Sequence, residues 1–275
     1  MAFPANGSWR QTDGSGKCPR RQNGSVVFPA PVPRCYPLAV VTSIRNAMNT
    51  VITAAPPVIL PVSGSEAGFP VRRVYCVGRN YALHAIEMGH DPTREPPFFF
   101  QKNPENLRLP ASGFPYPARS NDVHHEVELV VALKSGGTDI DPAAAMDCVW
   151  GYAVGIDFTR RDLQADAKSK GQPWAAAKAF EHSGPVSPLV PAEQGVDPAR
   201  GRIHLSVNGA IRQDGDLAQM TWKIPEIIAE LSKLFELAAG DVILTGTPAG
   251  VGAVERGDVV TCGIDGIGDL TVTVV

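Results

Sequence analysis

Short apolar runs recur from residue 71 to the end of the chain, and most of them have the length and the β-branched or aromatic composition of strands. The predicted strands cover residues 71–78, 98–100, 123–134, 150–157, 203–207, 210–213, 241–244, 259–264 and 270–275. The run of three phenylalanines at 98–100 is predicted to be a buried strand. Asn208-Gly209 lies between two of the runs and is typical of a tight hairpin turn.

Helical patterns are fewer than strand patterns. The sequence predicts helices over residues 81–88, 143–148 and 224–237. Because strands outnumber helices and do not alternate with them regularly, we expect an α+β fold with a β-rich core, mixed sheets and few helices. This pattern argues against a Rossmann fold or a (β/α)8 barrel.

The first 47 residues differ from the rest. They are rich in Gly, Ser, Asn and Pro, show no hydrophobic period, and contain six basic residues against the single acid Asp13. We expect residues 1–47 to be a disordered or spurious extension and residues 48–70 to be a short lead-in to the domain. Met48 resembles a natural start, so an over-extended gene start is one explanation. A transit peptide is another, although Gly and Pro oppose an amphipathic helix.

Composition narrows the function classes. The net charge is -3, so no general attraction to nucleic acid is expected. No apolar run reaches the length of a membrane span, so no membrane partner is expected either. The five cysteines lack metal-ligand spacing, and Cys76 and Cys148 lie in apolar runs typical of buried thiols. A cytoplasmic location is the simplest interpretation.

Glu126 and Glu128 are the strongest chemical signal. Residues two apart on a strand point to the same face, so two carboxylates would project together from a largely apolar run. Asp157 ends another apolar run and adds a third carboxylate. An all-oxygen set suits Mg²⁺ or Mn²⁺ better than Zn²⁺. The alternative is an exposed edge strand with two solvated acids.

His84 and Glu87 are three residues apart on a predicted helix and therefore share a face. A carboxylate beside an imidazole orients the ring and raises its basicity, which suits a general base. The alternative is an ordinary surface pair, which is common on helices.

Three polar residues follow Asp157 in positions where they could reach a bound anion. Arg161 and Gln164 are predicted to lie one helical turn apart, and Lys178 lies in an apolar run where it would need a partner. Together they could bind carboxylates or an oxyanion, or they could simply form salt bridges. Thr247 lies in a Gly-rich loop that lacks the Gly-Lys-Ser/Thr of a P-loop and could bind a ligand carboxylate instead.

Several segments occur together in one order over residues 71–275. They are Gly78-Arg79-Asn80-Tyr81, His84, Glu87-Met88, His124-His125-Glu126-Val127-Glu128, Gly155-Ile156-Asp157, Arg161-Asp162, Gln164, Lys178, Leu244-Thr245-Gly246-Thr247-Pro248 and Gly250-Val251-Gly252. This set resembles the fumarylacetoacetate hydrolase family, in its acylpyruvase and fumarylpyruvate hydrolase branch.

The resemblance implies a catalytic domain over residues 71–275, a homodimer, and Mg²⁺ or Mn²⁺ held by Glu126, Glu128 and Asp157. It also implies that His84, oriented by Glu87 on a mobile lid helix, activates water that attacks a 2,4-dioxo acid. Stabilisation of the oxyanion would then fall to Lys178, Gln164 and Arg161.

The segment 95–102 resembles fumarylpyruvate hydrolases of gentisate breakdown, which implies cleavage of fumarylpyruvate to fumarate and pyruvate. We expect Arg94 and Lys102 to bind the far carboxylate of that substrate. The alternatives are a generic acylpyruvase or oxaloacetate decarboxylase, a decarboxylase-isomerase of the same family, and a non-catalytic metal-binding protein. The pair of His84 and Glu87, called the dyad below, favours hydrolysis, because decarboxylation needs no activated water.

Overall fold

The computed structural model describes residues 51–87, 96–108 and 111–275. The chain divides after Ala54, and the architecture below is that of Ala55–Val275. The described strands are β1 Ile59–Val62, β2 Ser65–Pro70, β3 Arg73–Gly78, β4 Phe98–Lys102, β5 Val123–His125, β6 Val127–Leu133, β7 Val149–Ile156, β8 Thr159–Arg160, β9 Val190–Pro191, β10 Arg202–Val207, β11 Ala210–Asp216, β12 Asp241–Leu244, β13 Gly252–Val254, β14 Val259–Ile264 and β15 Gly268–Thr273. The α-helices are α1 Ala82–Glu87, α2 Arg161–Ser169, α3 Ala175–Lys178 and α4 Ile224–Leu234.

The strands form four sheets. The largest has the order β4-β3-β12-β6-β7-β9, and the others are β11-β10-β14-β15, β13-β5-β8 and the β1-β2 hairpin. β12 runs parallel to β3, whereas its other neighbour β6 is antiparallel. The expected α+β class with mixed sheets and few helices is therefore confirmed.

The central strand β6 explains why its sequence is apolar almost throughout. Its side chains alternate between two cores, one on each face of the large sheet. Leu129, Val131 and Leu133 pack into one core, and Val130 and Ala132 pack into the other. Every residue of β6 is buried, so Glu128 enters the interior with it.

One edge of this sheet gathers the polar segments. β6 is antiparallel to both β12 and β7, so its amino end lies beside their carboxyl ends. The carboxyl end of β3 lies at the same edge, because β3 is parallel to β12. Glu126, Glu128 and Asp157 are consequently brought together with the segments that follow β3 and β12.

The predicted strand 123–134 is interrupted. Glu126 belongs to neither β5 nor β6, and the chain passes there from the three-stranded sheet into the six-stranded one. Its carbonyl oxygen accepts the Asp157 N–H at 2.8 Å, and the next amide, of Val127, donates to the Gln213 side chain at 3.1 Å. The two glutamates therefore converge through this passage between sheets and not through simple strand alternation.

Three other predictions were wrong in detail. The 98–100 run forms β4, but β4 is an edge strand and Phe98 is 38% exposed, so the strand is not buried. The helix predicted over 143–148 is a 3-10 turn at Ala145–Cys148. The helix predicted over 224–237 ends at Leu234, because the backbone of Phe235 is extended. Cys76 and Cys148 are buried free thiols, as expected.

No helix in the described segments is long and apolar enough to cross a membrane. The predictions for residues 1–47 and for Met48 lie outside the described residues.

The packing beneath Asp157 gives a test of the fold. Phe158 follows Asp157, and its ring stacks on Phe114 with centroids 4.0 Å apart and an interplanar angle of 8°. Both rings are fully buried. We expect Phe114→Ala to lower the free energy of unfolding by about 3–5 kcal/mol in denaturant titration, since it leaves a cavity in the core. Leu234→Ala, at a 65% exposed position, should change it by about 0.5 kcal/mol at most. A loss below about 1 kcal/mol for Phe114→Ala would contradict this packing.

Candidate active site

Three buried carboxylates lie together at the polar edge of the large sheet. Glu126, Glu128 and Asp157 each contribute one oxygen to a group in which all oxygens are within 4.8 Å of one another. Their exposures are 5%, 2% and 0%. The predicted convergence of these acids is present in the structure, and the alternative of a solvated edge strand is excluded by their burial.

Two of the carboxylates are compensated by cations. Lys178 Nζ lies 2.6 Å from Glu126 Oε2 and 2.7 Å from Asp157 Oδ2. Arg161 contacts Glu126 Oε1 at 2.5 Å, and Lys102 Nζ lies 2.7 Å from Asp157 Oδ1. Lys178 is therefore the partnered lysine that its apolar surroundings required.

Glu128 differs from the other two carboxylates. Its Oε2 accepts the Gly246 N–H at 2.7 Å, and it has no ion pair with any described residue. Burial, together with the neighbouring Asp157 and Glu126, raises the pKa of Glu128 well above its ordinary value. Burial opposes ionisation of Glu126 too, but Lys178 and Arg161 outweigh it and lower the pKa of Glu126.

These residues fit an oxygen-coordinated divalent cation. The donor set is three carboxylates, the charge of Glu128 is uncompensated, and Asp157 Oδ1 lacks an aligned hydrogen-bond donor although Lys102 lies close to it. A divalent cation would offset the repulsion among the three acids and allow Glu128 to ionise. The donor chemistry suits Mg²⁺ and Mn²⁺ alike.

The dyad faces the same site. His84 Nδ1 lies 3.2 Å from Glu87 Oε2, and both Glu87 oxygens accept the Gly250 N–H at 3.1 Å. His84 is 6% exposed, and burial lowers the pKa of its imidazole despite the opposing effects of Glu126 and Glu87. The ring is therefore neutral at neutral pH and able to accept a proton.

A cavity of about 30 Å³ joins the dyad to the carboxylates. Its lining includes seven of the residues singled out in the sequence, namely His84, Glu126, Glu128, Arg161, Gln164, Lys178 and Thr247. Arg161 donates to Gln164 Oε1 at 2.7 Å, which leaves the Gln164 amide nitrogen as the group available to a ligand. Asp157 and Glu87 are not among the lining residues.

Lys102 does not lie where a residue that binds the far carboxylate of a substrate was expected. It is 3% exposed, absent from the cavity lining, and bonded to Asp157, Ser183 and the Lys178 carbonyl. The reason is that β4 carries it inward, beneath the acid cluster. Its charge supports Asp157 instead. Arg94 lies outside the described residues.

Gln213 is a structural member of the site that the sequence did not reveal. This fully buried side chain accepts from Val127 N at 3.1 Å and contacts His125 Nδ1 at 3.0 Å. Its amide nitrogen donates to Thr247 Oγ1 at 2.8 Å and to Pro248 O at 2.9 Å. Gln213 thus links the strand that carries Glu128 to the loop whose Thr247 lines the cavity. Because Gln213 lies in a hairpin strand whose other residues are exposed or half-buried, its sequence position gave no indication that it is buried.

Asn80 plays a similar part between β3 and α1. Its side chain is fully buried, donates to Thr245 O at 2.8 Å and Trp222 O at 2.9 Å, and accepts from Trp222 N at 2.7 Å. The sequence placed Asn80 in a shared motif without a role. Its bonds fix the point from which the helix of the dyad begins.

The raised pKa of Glu128 predicts an unusual stability change in metal-free protein. A carboxyl group whose pKa is higher in the folded than in the unfolded protein binds its proton more tightly in the folded state. Protonation of this group therefore stabilises the fold fully below the unfolded pKa of 4.5, and the stabilisation is lost as the pH rises through the folded pKa. Glu128→Gln removes this loss. We expect the EDTA-treated variant to be more stable than wild type by about 1–2 kcal/mol near pH 8 and to match it near pH 4.

Calorimetry with and without Mn²⁺ completes this test. Added Mn²⁺ should raise the Tm of wild type and have little effect on Glu128→Gln. Equal metal-induced shifts in the two proteins would remove Glu128 from the ligand set. A metal-free variant less stable than wild type near pH 8 would contradict the electrostatic argument.

The buried amide gives a second prediction. Gln213→Leu orphans the Val127 amide, the Thr247 hydroxyl and the Pro248 carbonyl, each worth about 1–3 kcal/mol when unsatisfied. We expect the free energy of unfolding to fall by roughly 3 kcal/mol or more, as measured by denaturant titration. The exposed Gln194→Leu should change it by about 0.5 kcal/mol at most. A similar small change in Gln213→Leu would show that these bonds do not hold the loop.

Comparisons with known proteins agree with the site. The fumarylacetoacetate (FAA) hydrolase C-terminal family matches residues 73–275. The chain is 49% identical to a solved fumarylpyruvate hydrolase from Pseudomonas aeruginosa in complex with Mn²⁺ and pyruvate, with a TM-score of 0.80 over 82% of this chain and 99% of that one.

Curated relatives carry other activities. The chain is 47% identical to the mitochondrial oxaloacetate tautomerase FAHD1 of Rattus norvegicus, over 71% of this chain and 88% of the relative. It is 42% identical to the mitochondrial oxaloacetate decarboxylase of Dictyostelium discoideum, over 71% of this chain and 90% of the relative. Since the family match spans most of the chain and these identities extend over more than two thirds of it, this chain belongs to the fumarylacetoacetate hydrolase family.

Proposed function

We propose that this chain is a metal-dependent hydrolase that cleaves the C–C bond of 2,4-dioxo acids, with fumarylpyruvate as its substrate. The observation that carries the proposal is the placement of the buried His84, which is held by Glu87 and lines one cavity with Glu126 and Glu128. A neutral imidazole there is suited to activating water beside a metal-bound 2-oxo acid. The Pseudomonas aeruginosa relative, solved with Mn²⁺ and pyruvate, supports the same choice of metal and product.

The residues that would hold Mg²⁺ or Mn²⁺ are Glu126, Glu128 and Asp157. A divalent cation bound there would supply Lewis acidity toward the oxygens of the 2-oxo acid and toward the enolate charge that develops during cleavage.

The chain's own groups move the protons. His84 Nε2 takes a proton from water while Glu87 holds the opposite ring nitrogen, and the water oxygen bonds to C4 of the substrate. The C4 oxygen becomes an oxyanion that the Gln164 amide can stabilise by hydrogen bonding. The C3–C4 bond then breaks, and its electron pair passes to C3. Return of the proton from His84 to C3 yields pyruvate and restores the neutral imidazole. The acyl fragment leaves as a carboxylic acid that ionises to the carboxylate, which is fumarate for fumarylpyruvate.

The cations of the site have roles that follow from their contacts. Lys178 bridges Glu126 and Asp157, so it fixes two of the three acids and adds positive charge at the edge of the cavity. Arg161 binds Glu126 and orients the Gln164 side chain by donating a hydrogen bond to Gln164 Oε1. Burial opposes the charge of Lys178, but its ion pairs with Asp157 and Glu126 raise the pKa of Lys178, so this lysine is not free to act as a base.

Oxaloacetate tautomerisation or decarboxylation is the second candidate. It is favoured by the activities of the rat and Dictyostelium relatives at 47% and 42% identity. The same carboxylates would serve it, since these reactions also develop enolate charge. Decarboxylation differs from hydrolysis in needing no hydroxide, so the contribution of His84 separates these two reactions.

The homodimer, the cytoplasmic location and the dispensability of residues 1–47 stay predictions. Both curated relatives named above are mitochondrial, so the location in particular needs a direct measurement.

The dyad supplies the deciding experiment. His84→Ala should lower kcat for fumarylpyruvate hydrolysis by roughly 10²–10⁴, the scale of general base catalysis, while oxaloacetate decarboxylation loses much less. Loss of enol absorbance measures the first reaction and pyruvate release the second. His204→Ala, on β10 and outside the cavity lining, is the matched control and should leave both rates near wild type.

The pH profile adds an independent readout. Because burial lowers the pKa of His84, the acid limb of kcat/KM should fall below the ordinary histidine pKa of 6.5, with activity lost as pH decreases through it. Equal losses of both reactions in His84→Ala would overturn the water-activating role. A wild-type enzyme that acts on oxaloacetate and on no acylpyruvate would establish the second candidate.

A further inference from the structure

Four cationic side chains line the cavity, and only two of them are neutralised. Arg161 and Lys178 are paired with the acid cluster. Arg79 and Lys168 also line the cavity, but neither has an ion pair with any described residue. Among the described residues, no carboxylate forms an ion pair with Arg79 or Lys168, so both charges are available to an anionic ligand in the cavity.

Aromatic rings hold the two unpaired cations in place. Lys168 Nζ lies 5.2 Å from the centroid of the Trp174 ring, and Arg79 Cζ lies 5.8 Å from that of Phe98. Phe98 meets Trp174 edge-on, with centroids 4.9 Å apart and an interplanar angle of 81°. These contacts form a continuous wall with a cation on each ring, which explains how like charges are kept near each other.

The electrostatics of Lys168 agree with an anion site. Burial lowers the pKa of Lys168, and Arg161 and Arg79 lower it further by charge repulsion. Binding of an anion between Lys168 and Arg79 would relieve this repulsion.

The available space places the anion at the outer end of a substrate. The inner cavity has a volume of only about 30 Å³, whereas an adjoining cavity of about 340 Å³ shares Arg79, Phe100 and Trp174 with it. A substrate whose 2-oxo acid end lies at the carboxylates would extend its acyl arm toward this outer space. A flat, conjugated arm would lie against the aromatic wall.

We propose that Arg79 and Lys168, supported by Trp174, form the subsite that binds the far carboxylate of a dicarboxylic acylpyruvate. This inference rests on the proposed function and deepens it, since it makes the chain selective for dicarboxylic over monocarboxylic substrates. It also assigns to Arg79 and Lys168 the role first expected of Lys102, which lies buried beneath Asp157.

Kinetics with two substrates tests the subsite. Fumarylpyruvate carries the far carboxylate and acetylpyruvate lacks it. We expect Lys168→Met and Arg79→Met each to lower the ratio of kcat/KM for fumarylpyruvate to that for acetylpyruvate by about tenfold or more, mainly through KM for fumarylpyruvate. Methionine keeps an apolar stem against the ring and removes the charge. Lys168→Arg, which keeps the charge, should retain most of the selectivity.

Lys170→Met is the matched control. This lysine lies two residues away at the end of the same helix, is exposed, and pairs with Asp166 outside the cavity. Its substitution should leave the ratio unchanged. An unchanged ratio in Lys168→Met and Arg79→Met, or an equal drop in Lys170→Met, would overturn the subsite.

Binding of product analogues separates failure of the subsite from failure of the proposed function. In metal-loaded protein, fumarate should bind more tightly than crotonate, which has one carboxylate fewer, and Lys168→Met should remove that preference in calorimetric titration. If wild type hydrolyses neither acylpyruvate yet shows the fumarate preference, the proposed function fails and the subsite stands. If it hydrolyses both with no fumarate preference, the function stands and the subsite fails.

Discussion

Charge balance among buried carboxylates governs this structure. Three acids enter the interior at one edge of the large sheet, and burial of an uncompensated carboxylate is costly. Lys178 and Lys102 neutralise Asp157, and Lys178 and Arg161 neutralise Glu126. Glu128 is left without a cationic partner among the described residues, so a bound cation would favour its ionisation. The architecture serves this balance, because β4, α2 and α3 each deliver one of the compensating cations.

The mixed sheet makes the arrangement possible. β3 pairs in parallel with β12, β12 pairs antiparallel with β6, and β6 pairs antiparallel with β7. The carboxyl ends of β3, β12 and β7 therefore meet the amino end of β6 at one edge of the sheet. Polar segments can leave the sheet there without interrupting either core. The loop after β12 then reaches both the acids and the dyad, through Gly246 to Glu128 and through Gly250 to Glu87.

The sequence predicted the β-rich class and most strands, because hydrophobic runs and the Asn208-Gly209 turn are local signals. It also singled out the residues of the acid cluster and the dyad, since acids, a histidine and a lysine within apolar runs need partners. It could not place Lys102, whose inward direction depends on the pairing of β4 at the edge of the sheet and on the contact with Asp157. Gln213 and Asn80 were missed for the same reason, because a buried amide is defined by distant partners that one-dimensional spacing does not reveal.

The contacts of helix α1 have a consequence for the proposed dyad. The described part of α1, Ala82–Glu87, is anchored to the loop after β12. The Gly250 amide binds the Glu87 carboxylate, and that carboxylate in turn orients the His84 ring. Any displacement of α1 that breaks this bond also releases the imidazole from its orienting partner. In the proposed hydrolysis, activation of water by His84 would therefore depend on the docked position of α1.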